Sequence, residues 1–288
     1  MKDSVDELVG LLQLDEVVQD RYLGQTVDLG WGRLFGGHVL GQSLSAASRT
    51  VRREWLAHSL HGYFLRPGAV DAPVLYEVDR IRDGKSFATR RVVARQKGEV
   101  VLNMAASFHR EETGFEHQME MPEVPPPDEL ESEFELRRAV VDKIPERFRE
   151  TWMRERPIEL RPVEQIDFFR PEIREPHRHV WFRARNGLPD DPVLHRCMLA
   201  YTSDFALLAT ALLPYGVTYL HQDMQVASLD HAMWFHRDFR VDDWLLYAMD
   251  SPSASNALGF TRGAVFDRQG RQVASVAQEG LIRQRSTS

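Results

Sequence analysis

The amino-acid sequence predicts an α+β fold built from two fused copies of one module, each an antiparallel sheet wrapped around a helix. The first observation is an internal repeat. Residues 70–79 read VDAPVLYEVD and residues 241–250 read VDDWLLYAMD, so Val70, Asp71, Leu75, Tyr76 and Asp79 meet Val241, Asp242, Leu246, Tyr247 and Asp250 at an offset of 171. Phe64 and Arg66 meet Phe235 and Arg237 at the same offset. A repeat on this scale marks a duplicated structural unit. The second observation is that each copy carries a helix pattern followed only by strand patterns, with no βα alternation.

The first module is expected over residues 1–112. Leu40, Leu44, Ala47 and Val51 recur at helical spacing, and the segments after them are rich in Val, Phe and Tyr, as strands are. Ser86–Ala94 and Val100–Phe108 flank a turn at Arg95–Gly98, where glycine supplies a permissive backbone. Residues 113–165 read as a connection. Met121–Leu130 is proline-rich and acidic, unsuited to an element interior, while Glu131–Trp152 has helical character. The second module is expected over 166–288. Met198, Tyr201, Phe205, Leu208 and Leu212 alternate spacings of three and four, predicting one helix. Ala257–Phe266 and Gln272–Ile282 then flank a turn at Asp267–Gly270.

Composition narrows the function classes. The chain has 288 residues, 43% of them hydrophobic, enough for a substantial core. A net charge of −7 gives no electrostatic case for nucleic acid or an anionic membrane. The single cysteine, Cys197, excludes an intrachain disulfide and fits a reducing compartment. Met1–Leu14 is charged and amphipathic rather than a signal core, and no apolar run is long enough to span a bilayer. A cytoplasmic protein is expected. Short His spacings at His58/His61 and His177/His179 lack the ligands that would complete a metal site, so no metal or cofactor is expected.

Three polar residues are candidates for chemistry. Asp204 falls at the edge of the apolar stripe of its predicted helix, where a carboxylate is costly without partners. Ser228, at the start of an aromatic-rich strand, offers a hydroxyl that both donates and accepts. Gln278 sits among apolar strand neighbours, where an amide needs partners and can present a fixed donor and acceptor. Singly, each has a bland reading: a solvated Asp, a turn Ser, a sheet-edge Gln. The repeat sharpens them. Ser228 aligns with Ala57, Gln278 with Ala105 or Ala106, and the first helix region from Leu34 to Val51 contains no acid. One scaffold is furnished and the other stripped. Asp230, His231 and His236 near Ser228 suggest a Ser/His/Asp set, but they crowd onto one strand and no G-x-S-x-G elbow occurs. Gly36, Gly37 and His38 open the first helix, where backbone N–H groups can meet an oxyanion or phosphate.

The strings LFGGHVLGQ (34–42), HSLHGYFLRPG (58–68), RDGKSFATRRV (82–92), GFEHQ (114–118), LDHAMWFHRDF (229–239), WLLYAMDSPSASNALGFTRG (244–263) and VASVAQEGLIR (273–283) resemble the acyl-CoA thioesterase II family over nearly the whole chain. The resemblance implies a double hotdog fold, hydrolysis of a fatty acyl-CoA, and a homo-oligomer. It also implies a catalytic set of Asp204 in YTSDF, Ser228 where many members carry threonine, and Gln278 in VAQEG. On this reading Asp204 deprotonates a water that Ser228 and Gln278 hold in line. Two other readings remain open at this point: a hotdog enoyl-CoA hydratase or dehydratase using an Asp/His pair, and a non-catalytic acyl-CoA-binding module.

Overall fold

In the computed structural model, residues 4–167 and 169–285 are described. The opening three residues of the amphipathic N-terminal stretch and the last three, Ser286–Ser288, lie outside them. The first half runs α1 (Ser4–Leu12), β1 (Asp15–Val18), β2 (Arg21–Gly24), α2 (Gly36–Ser48), β3 (Leu56–Phe64), β4 (Val74–Asp83), β5 (Phe87–Gln96) and β6 (Glu99–His109). The connection carries α3 (Glu133–Ala139) and α4 (Glu146–Met153). The second half runs β7 (Ile158–Pro162), β8 (His177–Ala184), α5 (Pro192–Thr202), β9 (Met224–Ser228), β10 (Asp230–Phe235), β11 (Leu245–Ser255), β12 (Leu258–Asp267) and β13 (Gln272–Gln284).

The strands form one continuous antiparallel sheet in the order β1-β2-β4-β5-β6-β3-β10-β13-β12-β11-β8-β7, with β9 pairing β13. The order is palindromic about the β3·β10 junction, where Ser59 pairs Trp234 and Tyr63 pairs Asp230. Each half is therefore the expected helix-wrapped sheet, and the two are fused edge to edge. The duplication extends to side chains. Arg91 donates to Asp79 across β4 and β5 at 2.9 Å, and Arg262 donates to Asp250 across β11 and β12 at 3.0 Å.

Local chemistry explains the boundaries. Lys97 and Gly98 both have positive φ, the twist-matched geometry that closes a two-residue hairpin, so β5 and β6 run right up to the turn. Ser132 caps α3 through a reciprocal bond pair with Glu135. Asp191 caps α5, with Pro192 in its first turn.

Two expectations need correction. Residues 158–162 lie within the stretch read as connection, yet as β7 they pair with β8. We place the start of the second half there; Pro162 is tolerated because β7 is an edge strand that ends at it. The predicted second helix does not run through Leu212. It stops at Thr202, Ala206 takes a left-handed φ of 65°, and Leu208–Tyr215 follows as a 3-10 helix. The Thr202 and Ser203 hydroxyls bond back to Met198 and Ala200 carbonyls, competing with the backbone N–H groups that would continue the helix. Asp204 therefore lies in the turn beyond α5, not on a helix edge.

The core sits between the sheet and the two helices. Gly37 through Ala47 of α2 and His195 through Thr202 of α5 are all buried, so these helices are enclosed on every side rather than amphipathic at a surface. They pack against each other through glycine. A Cβ on Gly37 would collide with the Tyr201 carbonyl oxygen, and one on Gly41 would reach 2.9 Å from the Cys197 carbonyl oxygen. This close approach brings the start of α2 against the end of α5. No helix among the described residues is long and apolar enough to cross a membrane.

Candidate active site

The turn after α5 delivers the Asp204 carboxylate to the N-terminus of α2. Gly37 N–H donates to Oδ2 at 2.9 Å, and Gln278 Nε2, from β13, donates to Oδ1 at 2.8 Å. The carboxylate is 6% exposed. The helix supplies what makes this burial tolerable: α2 has no side-chain cap at Phe35, and its first-turn N–H groups carry the positive end of the helix dipole. A carboxylate from one module thus caps a helix of the other. Gly36 allows it, since a Cβ there would stand 2.7 Å from Asp204 Oδ2 and 3.0 Å from the Phe64 ring.

Gln278 is 1% exposed. Its Nε2 also faces His231 Nδ1 at 3.2 Å, while its Oε1 is buried and has no hydrogen-bond partner among the described residues. His231 is fully enclosed. Its Nε2 lies 2.9 Å from Ser203 Oγ, which itself donates to the Ala200 carbonyl at 3.0 Å. Burial lowers the His231 pKa, against the opposing charges of Asp204 and Asp230, which favours the neutral ring. Tyr247 OH donates to the Ser203 carbonyl at 2.9 Å, and its pKa is held well above the ordinary value first by burial and then by the Asp204 charge.

Ser228 lies opposite Gly280 in the β9·β13 pair. Directly opposed residues of an antiparallel pair share a face, and Gly280 and Gln278 share theirs by alternation. Ser228 is therefore diagonal to Gln278 on the helix-facing side, partly buried. Among the described residues its hydroxyl bonds neither Asp204 nor Gln278. Of the residues expected at the helix opening, Gly36 and Gly37 border Asp204. The His38 side chain is placed differently, buried and paired with the Gln25 carbonyl at 3.0 Å, with its pKa lowered mainly by burial. Only the backbone of this turn faces the carboxylate.

An aromatic wall adjoins the site. Phe35 stacks on Phe205 with ring centroids 4.4 Å apart, Tyr201 meets both edge-on, and Trp31, 43% exposed, carries the wall outward. His231 and Ser203 were missed as site residues from sequence. The signal was present: His231 occupies the position of Leu60 in the first copy, just as Ser228 occupies that of Ala57. The likeness of the cluster around Ser228 to a serine-hydrolase triad masks it.

The arrangement can hold and deprotonate one water: a carboxylate with two anchors, a buried amide oxygen in need of a donor, and an adjoining apolar surface. The Asp/His pair required by a dehydratase is formally present, with His231 Nδ1 4.0 Å from Asp204 Oδ1. Both ring nitrogens are occupied by Gln278 and Ser203, however, so neither can reach a substrate.

Comparison with known proteins agrees with this architecture. A family model described as acyl-CoA thioesterase matches residues 148–281, and one described as the acyl-CoA thioesterase N-terminal domain matches 27–109. The chain is 36% identical to acyl-CoA thioesterase 2 of Haemophilus influenzae, over 98% of this chain and 99% of that protein. It is 38% identical to human acyl-coenzyme A thioesterase 8, over 95% and 88% respectively. Among solved structures, an acyl-CoA thioesterase II from Mycobacterium marinum superimposes with a TM-score of 0.78 at 41% identity, covering 99% of both chains.

Proposed function

This chain belongs to the acyl-CoA thioesterase family, and on that premise we propose that it hydrolyses fatty acyl-CoA by direct attack of a water that Asp204 deprotonates and Gln278 and Ser228 orient. The observation that carries this reading is the Asp204–Gln278 bond with Gln278 Oε1 left buried and, among the described residues, unpartnered. A buried amide oxygen needs a donor, and a water bridging it to the carboxylate would satisfy that need and stand ready for attack. The Ser228 hydroxyl, on the same face, can complete the water's contacts.

In the reaction, the water oxygen bonds to the thioester carbonyl carbon as its proton passes to Asp204. The carbonyl π electrons move onto oxygen, and a donor must meet the resulting oxyanion. The Gly36 N–H, in the first turn of α2, is our candidate. Collapse of the tetrahedral species breaks the C–S bond, the coenzyme A thiolate departs, and Asp204 returns its proton to give the free thiol and the acid. No acyl-enzyme is needed. The acyl chain lies along the wall of Phe35, Phe205 and Trp31, an apolar lining suited to such a ligand.

The test is thiol release from acyl-CoAs of several chain lengths by wild type, Asp204→Ala and Gln278→Ala. Turnover is expected to fall about 10²- to 10⁴-fold for Asp204→Ala and about 10²-fold for Gln278→Ala, with KM far less affected. Near-normal turnover in either variant removes that residue from the mechanism.

A further inference from the structure

We propose that His231 is a positioning residue whose Nδ1, held in place through Ser203, locks the Gln278 amide with its oxygen turned toward the attacking water. This deepens the reading above and rests on it.

The argument begins with the amide. A glutamine side chain can be turned over, exchanging O and N, unless its neighbours select one orientation. Here one end faces Asp204 Oδ1 at 2.8 Å and His231 Nδ1 at 3.2 Å. A carboxylate is an acceptor. The imidazole Nδ1 is an acceptor when the ring is neutral and its proton is on Nε2. The rest of the chain requires that tautomer. Ser203 Oγ donates to the Ala200 carbonyl, so it accepts from His231 Nε2–H at 2.9 Å. One direction of donation therefore runs from Gln278 through His231 and Ser203 to the α5 backbone, and every step agrees with it. With both N–H groups engaged, Oε1 points away, buried and without a partner among the described residues. Asp204 alone would anchor only one N–H, leaving the amide to pivot about it.

His231 cannot act on substrate directly, because its side chain is fully enclosed. Nor does sheet packing require histidine there. The first module fills the equivalent position with Leu60, completely buried, beside Ala106. An apolar side chain satisfies the scaffold, and the imidazole answers to the amide.

The experiment measures kcat, KM and melting temperature with decanoyl-CoA for wild type, His231→Leu, His231→Gln and His231→Asn. Asparagine places an acceptor near the Nδ1 position, whereas glutamine reaches only toward Nε2. His231→Leu and His231→Gln are expected to lose about 10- to 100-fold in kcat with KM within about threefold, and His231→Asn to stay within about fivefold of wild type. If His231→Leu does not fold, the Asn and Gln variants decide. Wild-type kcat in the Leu variant, or equal impairment of Asn and Gln, overturns the assignment when Asp204→Ala and Gln278→Ala show their losses. If those two variants keep their rates, the catalytic reading fails instead and takes this inference with it.

Discussion

At one rung of the sheet the first module sets Leu60 beside Ala106. At the matching rung of the second, one residue beyond the Ala232–Ala277 pair, His231 meets Gln278. One diagonal away, Ala57 in the first module corresponds to Ser228 in the second. The flanking architecture is shared. Tyr76 and Tyr247, on matching strands, are both buried and both donate inward, Tyr76 to Gln42 Oε1 at 2.6 Å and Tyr247 to the Ser203 carbonyl. At these positions one copy is apolar and the other polar. Burying polar groups is unfavourable unless each finds a partner. At these positions the first module avoids that cost, while the second bears it and, among the described residues, leaves Gln278 Oε1 without a partner.

The stripped module is nonetheless part of the site, because its helix N-terminus holds the Asp204 carboxylate. Gly37→Ala tests this most severely. The added methyl meets the Tyr201 carbonyl, a backbone atom that cannot swing aside, so the helices must separate. A loss of stability of about 3 kcal/mol or more is expected, with turnover falling in the protein that remains folded. Gly62→Ala, whose Cβ would find nothing nearer than 3.5 Å, is the control and should change melting far less. A Gly37→Ala variant with wild-type melting and rate would separate the modules functionally.

A milder perturbation copies the furnished residue into the stripped copy. Ala106 is 1% exposed and pairs with Leu60, where the second module has His231. Ala106→Gln is expected to destabilise the protein by about 2 kcal/mol, through an unsatisfied buried amide and overpacking, with kcat unchanged within about twofold. Denaturant unfolding and thiol release read the two effects. A rate gain would mean that the first module is competent after all.

The smallest effect distinguishes the modules by pH. His38 in the first and His231 in the second are both buried with pKa values lowered from an ordinary 6.5, chiefly by burial. In the unfolded chain each takes up a proton as pH falls through about 6.5, while the folded protein resists it. Both therefore contribute stability that is present at neutral pH and lost progressively as the solution becomes acidic. Unfolding free energy measured from pH 8 to 5 should fall, and less steeply in His38→Asn and in His231→Asn. Turnover responds differently. Protonation of His231 turns Nδ1 into a donor facing the Gln278 N–H, so only His231→Asn should reshape the acid limb of the kcat profile. An identical acid limb in wild type and His231→Asn would break this distinction.

Much of this was legible in the sequence. The offset of 171 pairs Asp79 with Asp250 and Arg91 with Arg262, and the two cross-strand ion pairs are its physical expression. The contrast of Ser228 with Ala57 and of Gln278 with alanine depends on substitution within a repeat, which a single chain displays. The strand register decides between the two alanines: β3 pairs Leu60 with Ala106, the counterpart of His231 with Gln278. What periodicity could not convey was the end of α5. Met198 through Leu212 keep helical spacing because a turn followed by a 3-10 helix can bury the same residues. The signal against a helix, two hydroxyls in succession at Thr202 and Ser203, acts through back-bonding rather than pattern. The role of the α2 N-terminus as a cap for a residue 167 positions away belongs to tertiary packing alone. His231 stands out in the sequence beside Ser228, but its bonds to Gln278 and Ser203 depend on the fold.

The most direct test is a crystal structure of the wild-type protein, at a resolution that orders solvent, in the absence of substrate. Density for one water within hydrogen-bonding distance of both Gln278 Oε1 and the Asp204 carboxylate is the predicted result. An amide oxygen satisfied by some other protein group, or a solvent molecule that contacts neither residue, would contradict the account.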